Sequence, residues 1–261
     1  MPIGRRAIAL IPAVPALGAT AALAVVLRAA HRSDLPSFPN QDASGTFGDP
    51  SLPRLRIVCI GDSSLTGPGL DRIDSLFIRR IARSYADRHH VELISLAVGG
   101  SKATDVIEGQ LSEAVGLSPD IAVISVGSND AMRGVPVRRY REQLDHILER
   151  LGPVSGAMLL VGIGDLGTVP RLPPVLRPYL SYRSQIFNEA ATEAAAVNPR
   201  AVKVHTRGRM TTAFVGDPAL FAGDQFHASD EGHRIFAEET GPAFGAAYRL
   251  WRQRTAAGGR P

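Results

Sequence analysis

The stretch "RLRIVCIGDSSLTGPG", residues 54–69, contains an apolar run that ends abruptly at Gly61. Ile57 to Ile60 are followed by an acid, two serines, a threonine and two more glycines. In α/β proteins, an apolar strand followed by a Gly-rich turn commonly brings a loop to its ligand. The order of these residues therefore predicts a buried strand whose carboxyl end carries a functional loop.

The same alternation continues along the chain. Short apolar runs separated by segments of helical periodicity follow at Val91–Val98, Ile121–Val126, Ala157–Ile163 and Ala201–His205. Near-continuous apolar strands that alternate with helices predict an α/β fold in which helices cover both faces of a parallel sheet. The carboxyl ends of its strands meet at one edge, where such folds bind ligands.

The net charge of +4 is concentrated at the two ends of the chain. Residues 1–32 and 252–261 contain seven arginines and no acid, so the 25 acidic residues all lie in the body, which is net acidic. No basic stripe with interleaved aromatic residues is present, and the sequence gives no reason to expect nucleic-acid binding. The single cysteine, Cys59, lies within an apolar run and is expected to be a buried core residue.

The amino terminus has the pattern of a membrane or export signal. Arg5 and Arg6 precede the uncharged run Ala7–Leu27, which as a helix would be about 31 Å long and could span a bilayer core. We expect residues 1–32 to be an uncleaved signal-anchor, with a cleaved signal peptide as the alternative. The protein would then face the cell exterior on an anchor, or be secreted.

The rest of the chain divides by composition. Residues 33–53 are rich in Pro, Ser, Gly and Asp and are predicted to form a flexible linker. The folded domain is predicted to span residues 54–251, and residues 252–261 form a basic tail.

Glycine and small polar residues stand after each predicted strand, and four kinds of chemistry are compatible with such residues. A phosphate-binding loop is disfavoured because GxxxxGK[ST] does not occur, and because Gly67-Pro68-Gly69 precedes a helix without the spacing that such a loop needs. A metal site would use acids and a histidine near these strand ends, but no Asp-x-His or His-x-His pair follows any of these strands. Its candidate ligands would be Asp62, Asp130, Asp224 and His227.

An acyl-transfer site needs a nucleophile, a base, a group that orients the base, and donors for the oxyanion. Ser63, at the strand-to-helix turn, could supply both the nucleophile and one main-chain N–H. Gly100 and Asn129 could supply further donors, and His227 could act as the base with Asp224 holding its ring. The remaining alternative is that these residues simply form turns.

Four blocks in this order resemble the SGNH (GDSL) hydrolase family. They are Gly61-Asp62-Ser63, "LAVGGSKATD", "VGSND" and "DQFH", and together they extend over nearly the whole domain. The resemblance implies a flavodoxin-like three-layer α/β/α sandwich with a five-stranded parallel sheet. It also implies Ser63, Asp224 and His227 as the catalytic triad, Ser63, Gly100 and Asn129 as the oxyanion hole, and hydrolysis of lipid or acylated-sugar esters without a metal or other cofactor.

The chain departs from the family pattern at two positions. Ser64 stands where many members have leucine, which makes it a rival nucleophile, and Ala228 replaces a proline that often follows the histidine. His205 is a rival base, Asp230 is a rival for the orienting acid, and His233 is expected to be structural.

The resemblance leaves the substrate open. An acyltransferase would use the same residues, and a non-catalytic lipid- or glycan-binding module could share the fold. The Pro-rich segment Gly164–Leu180 follows a strand end and is expected to line the substrate pocket. Arg133, Arg171 and Arg177 could contact an anionic head group or could simply be solvated.

Overall fold

The computed structural model describes residues 24–25, 28, 34–206 and 208–258. The predicted signal segment 1–32 lies almost entirely outside these residues. Within the described part of the chain, no helix is both long enough and apolar enough to cross a membrane.

The described residues form one six-stranded sheet. Its strands are β1 (Gly45–Phe47), β2 (Arg54–Gly61), β3 (His90–Ser95), β4 (Ile121–Ser125), β5 (Ala157–Val161) and β6 (Ala201–Lys203). The spatial order is β1-β3-β2-β4-β5-β6. All neighbouring pairs are parallel except β1 with β3, which is antiparallel. The predicted parallel α/β sheet is therefore confirmed, and the antiparallel edge strand is an addition to the five strands expected.

Eight α-helices connect or flank these strands in the described residues. They are α1 (Phe77–Arg83), α2 (Ala103–Gly109), α3 (Leu111–Gly116), α4 (Ser128–Met132), α5 (Val137–Leu151), α6 (Arg177–Ala196), α7 (Arg209–Thr212) and α8 (Asp230–Ala256). Short 3₁₀ turns, such as Ser63–Leu65 directly after β2, complete the connections.

Two apolar cores cover the two faces of the sheet. On one face, β2 residues Val58 and Ile60 pack with side chains from α2, α3, α5 and α6. On the other face, Ile57 and Cys59 pack with α1 and α8. Cys59 is fully buried, and its burial raises the pKa of the thiol. This alternation of neighbouring residues between two cores gives the three-layer sandwich predicted from the sequence.

The order of the five parallel strands indicates where in the sheet a ligand site is expected. Counted along the chain, they are arranged 2-1-3-4-5, the order of flavodoxin-like folds. The crossovers after β2 and β4 leave the sheet toward opposite faces, so a crevice opens between the carboxyl ends of these two neighbouring strands. Ser63 follows β2 and Asn129 follows β4, so these two residues lie at the edges of this crevice.

The structure contradicts the flexible linker predicted at residues 33–53. This segment contains β1, and Ala43 and Phe47 within it are buried. The Gln41 side chain donates hydrogen bonds to the carbonyl oxygens of Gly67 (3.0 Å) and Leu70 (2.9 Å). These contacts attach the segment to the loop that follows the Ser63–Leu65 turn. At the other end, α8 continues to Ala256, so half of the predicted basic tail is helical.

Candidate active site

Ser63 is the first residue of a 3₁₀ turn that begins immediately after β2. Asp62 caps the turn, because its Oδ1 accepts a hydrogen bond from the Ser64 N–H at 3.0 Å. Gly61 has a φ of +148°, and a Cβ there would overlap the Ser125 carbonyl oxygen of β4. Glycine is therefore required at this point for β2 to turn sharply and present Ser63 at the sheet edge.

A residue that the sequence pattern does not single out, Gln110, holds this turn in place. It lies between α2 and α3, where the periodicity suggests one continuous helix. Its Oε1 accepts from the Gly61 N–H at 2.7 Å, and its Nε2 donates to the Gly61 carbonyl at 3.0 Å and to Ser101 Oγ at 3.3 Å. One buried amide thus connects the turn of Ser63 to the loop that carries Gly100. The only sequence signal is a glutamine among the apolar positions of that segment.

Ser64, the rival nucleophile, is engaged elsewhere. Its Oγ forms a 2.7 Å hydrogen bond with the Oγ of Ser125, at the end of β4. This bond directs the Ser64 hydroxyl toward the sheet, consistent with a structural role in the turn.

Gly100 and Asn129 lie on two connected loops. Gly100 has a φ of +83°, and the atom nearest to a Cβ placed there would be Arg133 Nη2, at 3.8 Å. The space beside this glycine is therefore open to a ligand. Asn129 is the second residue of α4, and its Nδ2 donates to the Ser101 carbonyl at 3.2 Å. Since an amide nitrogen carries two hydrogens, the second N–H remains for a ligand.

Asp130 makes a second connection between these loops. Its Oδ2 accepts from the Ala103 N–H at 3.0 Å, while Oδ1 is buried without a hydrogen-bond partner in the described residues. Burial raises the pKa of this carboxyl to about 6, against the opposing hydrogen bond from Ala103. The charged groups that act on it are Asp62, which raises the pKa further, and Lys102, which lowers it. Asp130 is therefore costly to ionise in the folded protein.

We predict that replacing Asp130 by asparagine removes a pH-dependent loss of stability. The wild-type carboxyl ionises near its ordinary pKa of 3.8 when unfolded but only near about 6 when folded, so stability falls as the pH rises from about 4 to about 6. The advantage of Asp130→Asn over wild type should thus grow by roughly 2 kcal/mol between pH 4 and pH 7, at about 1.4 kcal/mol per unit of pKa.

This change is measured by urea unfolding of both proteins across that pH range. Glu108→Gln, which removes an exposed carboxyl near the end of α2, is the matched control. A constant difference between Asp130→Asn and wild type from pH 4 to pH 7 would contradict the raised pKa.

Asp224 and His227 form a short hydrogen bond, and both carboxylate oxygens of Asp224 have partners. His227 Nδ1 lies 2.6 Å from Asp224 Oδ2, and Asp224 Oδ1 accepts from the N–H groups of Phe226 (2.9 Å) and His227 (3.0 Å). Burial opposes ionisation of Asp224, but the hydrogen bonds and charge of His227 outweigh it and lower the pKa of the carboxyl. Because an ionised carboxylate can only accept, Nδ1 carries the proton, and Nε2 of a neutral ring is left as an acceptor.

All five predicted site residues line one polar cleft, with an open volume of about 950 Å³. Ser63, Gly100, Asn129, Asp224 and His227 come from four separate segments of the chain, which the sheet edge brings together. The cleft therefore holds a hydroxyl, an imidazole paired with a carboxylate, and a side-chain amide. This is the set of groups that acyl transfer requires.

A second, apolar cavity of about 810 Å³ adjoins the cleft, and Ser63, Pro68, Phe226 and His227 line both. Its walls include three further apolar side chains that sequence spacing did not associate with the site: Met210, Phe214 and Phe236. Residues 164–166 and 168–169 of the Pro-rich segment also line it, as predicted for that segment. The reacting groups thus stand between a polar and an apolar compartment.

The family assignment follows from a sequence comparison that matches this geometry. The model of the GDSL-like lipase/acylhydrolase family matches residues 59–235, a range that includes all five cleft residues named above. The chain belongs to this family.

Known proteins similar to this GDSL-like chain agree with that assignment. A GDSL-like esterase of Mycobacterium tuberculosis is 30% identical over 192 residues, covering 70% of this chain and 60% of the relative. The chain thus spans about 60% of that relative's length. Among solved structures, TesA superposes with a TM-score of 0.59 at 19% identity, covering 74% of this chain and 99% of TesA. A lipase/acylhydrolase from Enterococcus faecalis gives 0.58 at 23% identity, covering 75% and 96%. At these identities, the structural likeness establishes the fold.

The rival residues of this GDSL-like protein lie in other environments. His205 is exposed and lines neither cavity described above. Asp230 accepts a hydrogen bond from Ser75 Oγ at 3.0 Å. His233 lines the apolar cavity but is stacked on Phe77, and burial lowers its pKa to about 3. Its ring is therefore neutral at physiological pH.

The set of metal ligands considered from the sequence is not assembled. Asp62 caps the turn after β2, Asp130 binds the Ala103 N–H, and Asp224 is paired with His227. In the described part of this GDSL-like chain, no group of three His, Cys, Asp or Glu side chains is placed to hold a metal ion. Each acid thus has a local partner in the fold.

Proposed function

We propose that this protein is a serine ester hydrolase in which Ser63, His227 and Asp224 act as a triad. One observation carries the proposal: the 2.6 Å Asp224–His227 pair lines the same cleft as Ser63, Gly100 and Asn129. The family match and the esterase relative support the reaction class.

In the first step, Ser63 Oγ attacks the ester carbonyl carbon while His227 Nε2 accepts the hydroxyl proton. Asp224 keeps Nδ1 protonated and stabilises the imidazolium that forms. The tetrahedral intermediate collapses when the carbon–oxygen bond to the alcohol breaks, and His227 returns its proton to that leaving oxygen. The products are a Ser63 acyl ester and a free alcohol.

In the second step, water attacks the acyl carbon and gives a proton to His227 Nε2. The bond to Ser63 Oγ then breaks, and the serine recovers this proton from His227. The carboxylic acid leaves, and the enzyme returns to its starting state. His227 therefore serves as base and then as acid in both halves of the reaction.

The oxyanion of both intermediates is bound by the N–H groups of Ser63 and Gly100 and by the Asn129 amide. Asn129 is held by its bond to the Ser101 carbonyl, and the open space beside Gly100 admits the substrate oxygen. Such donors are fixed before the reaction, and each is typically worth about 10²–10³ in rate. The buried network of Gln110 and Asp130 supports this preorganisation.

The apolar cavity accommodates an apolar part of the substrate. Phe214, Phe226, Phe236 and Met210 form its walls directly beside Ser63. Burial of aliphatic groups there is worth about 0.8 kcal/mol per methylene. Esters with a medium-length or branched apolar portion are therefore favoured over acetyl esters of small alcohols.

The experiment that tests the proposal is labelling with a fluorophosphonate, followed by peptide mass mapping. A phosphonate reacts only with a nucleophile activated in an acyl-transfer site, so the folded protein should carry one adduct on Ser63. A matched sample unfolded in urea should not react. An adduct on Ser64, or no adduct on the folded protein, would reject the assignment.

A further inference from the structure

The walls of the polar cleft carry more positive than negative charge. Arg133 and Arg171 line it. Of the described residues in its lining, the only carboxylate is Asp224, which is 2% exposed and already paired with His227. The cleft therefore presents positive charge toward the space beside the reacting groups.

Arg133 occupies a fixed position relative to the oxyanion donors. It follows α4 directly, and its main-chain N–H donates to the Asn129 carbonyl at 2.9 Å. Its guanidinium reaches the open space beside Gly100, where Nη2 would be the atom nearest to a Cβ at that glycine, at 3.8 Å. The charge of Arg133 thus borders the space where the ester oxygen binds.

The other walls of the cleft also offer N–H donors. Arg171 is tied to the loop of the base, because its main-chain N–H donates to the Gln225 carbonyl at 3.0 Å and its Nη1 lies 3.5 Å from the Asp224 carbonyl. Asn40 accepts from Thr66 Oγ1 at 2.7 Å through Oδ1, which leaves its amide N–H groups for another partner. Guanidinium and amide donors around one cleft suit an anion with several acceptor oxygens.

We propose that the polar cleft binds a carboxylate or phosphate group carried by the ester, while the apolar part of the same ester occupies the apolar cavity. The inference rests on the proposed ester hydrolysis. Because Ser63 and His227 line both compartments, a substrate that extends into each would place its carbonyl at the nucleophile. Arg133 is the principal partner of the anion and selects esters with one anionic and one apolar half.

The test compares kcat/KM for two matched pairs of esters. The first pair is hexanoylglycerol 3-phosphate and 1-hexanoylglycerol, in which the anion is on the alcohol. The second pair is the monoethyl ester of adipate and ethyl hexanoate, in which the anion is on the acyl group. In one of the pairs, the anionic ester should be preferred by about tenfold at low ionic strength, and salt should reduce the preference because Arg133 is exposed.

Three variants identify the residue responsible. Arg133→Gln should bring the ratio of anionic to neutral kcat/KM close to one, and Arg133→Glu should invert it. Arg139→Gln removes the same charge from an exposed position on α5 and should keep the wild-type ratio.

The outcomes separate this inference from the proposed function. Equal hydrolysis of both members in each pair, or an unchanged ratio in Arg133→Gln, would overturn the anion site while ester hydrolysis stands. A folded protein that hydrolyses none of the four esters and takes no phosphonate label would instead overturn the proposed function.

Discussion

A Ser63→Ala variant should fold normally and lose nearly all ester hydrolysis, with kcat lowered by roughly 10⁴–10⁶. The loss is this large because the alanine side chain cannot form the acyl-enzyme, and only binding and oxyanion stabilisation remain. Folding should be unaffected, since the turn is held by main-chain atoms: the Ser63 carbonyl accepts from the N–H groups of Thr66 and Gly67, both at 3.2 Å.

Ser64→Ala is the matched control, since it removes a hydroxyl one residue away. That hydroxyl binds Ser125 Oγ, and its removal should cost about 1 kcal/mol of stability. Its kcat should stay within about tenfold of wild type, because the reacting groups and the Asp62 cap remain.

Steady-state kinetics on a short-chain chromogenic ester and thermal unfolding of both variants provide the measurement. If Ser64→Ala were inactive and Ser63→Ala active, the two serines would have exchanged roles. If both remained active, neither would be the nucleophile, and the acyl-enzyme mechanism would be rejected.

The sequence was sufficient to predict the layered sheet and the edge at which the site lies. The run ending at Gly61 and the later runs are nearly continuous in apolar residues, which only strands buried on both faces require. Parallel strands then bring their carboxyl ends together without further information. For this reason the strand pattern alone could place Ser63, Gly100 and Asn129 together, although they are far apart in the chain.

The strand β1 was not predictable from its own residues. Gly45, Thr46 and Phe47 lie in a segment with the Pro, Ser and Gly content of a linker. They are extended because they pair with β3 at the sheet edge, and Phe47 is covered by the guanidinium of Arg79, 5.0 Å from the ring centre. Both β3 and Arg79 are distant from this segment in sequence, so its local composition does not predict these contacts.

The hydrogen bonds of Gln110 that support the site also depend on distant residues, and the sequence did not predict them. Gly109 weakens the helix at this point, but the apolar periodicity continues through the segment and does not predict that Gln110 separates α2 from α3. The side-chain amide of Gln110 forms two hydrogen bonds to Gly61, which lies 49 residues earlier in the chain. The apolar cavity is likewise assembled from the segment after β5, α7 and α8. Its existence depends on how these segments pack, which periodicity within any one of them does not determine.

Asp224→Asn is the second change for which we expect a large effect, a loss of about 10⁴ in kcat with the fold intact. Asparagine would still accept from the N–H groups of Phe226 and His227, which donate to Asp224 Oδ1 in the wild-type protein. In place of Oδ2, however, it would direct an amide N–H at His227 Nδ1. The ring must then accept at Nδ1 and carry its proton on Nε2, so it cannot take the proton from Ser63.

The pH dependence of the stability of Asp224→Asn also tests whether Asp224 is ionised in the folded protein. In the folded protein the pKa of Asp224 lies below its ordinary value of 3.8, so the carboxylate contributes stability above that pH and loses it only as the pH falls through the lowered folded value. Asp224→Asn should therefore be less stable than wild type at pH 7, and the difference should shrink on acidification.

Asp217→Asn is the control for both measurements, because Asp217 is an exposed cap of the short turn Pro218–Leu220. It should keep wild-type kcat and have little effect on stability. If Asp224→Asn retained kcat within tenfold, His227 would not depend on the carboxylate for its tautomer, and a different group would have to orient the base. If kcat fell while phosphonate labelling of Ser63 continued at the wild-type rate, Asp224 would act after acylation. If kcat and the rate of labelling fell together, Asp224 would act in the proton transfer from Ser63. This is the result that we expect from the 2.6 Å bond between Asp224 and His227 Nδ1.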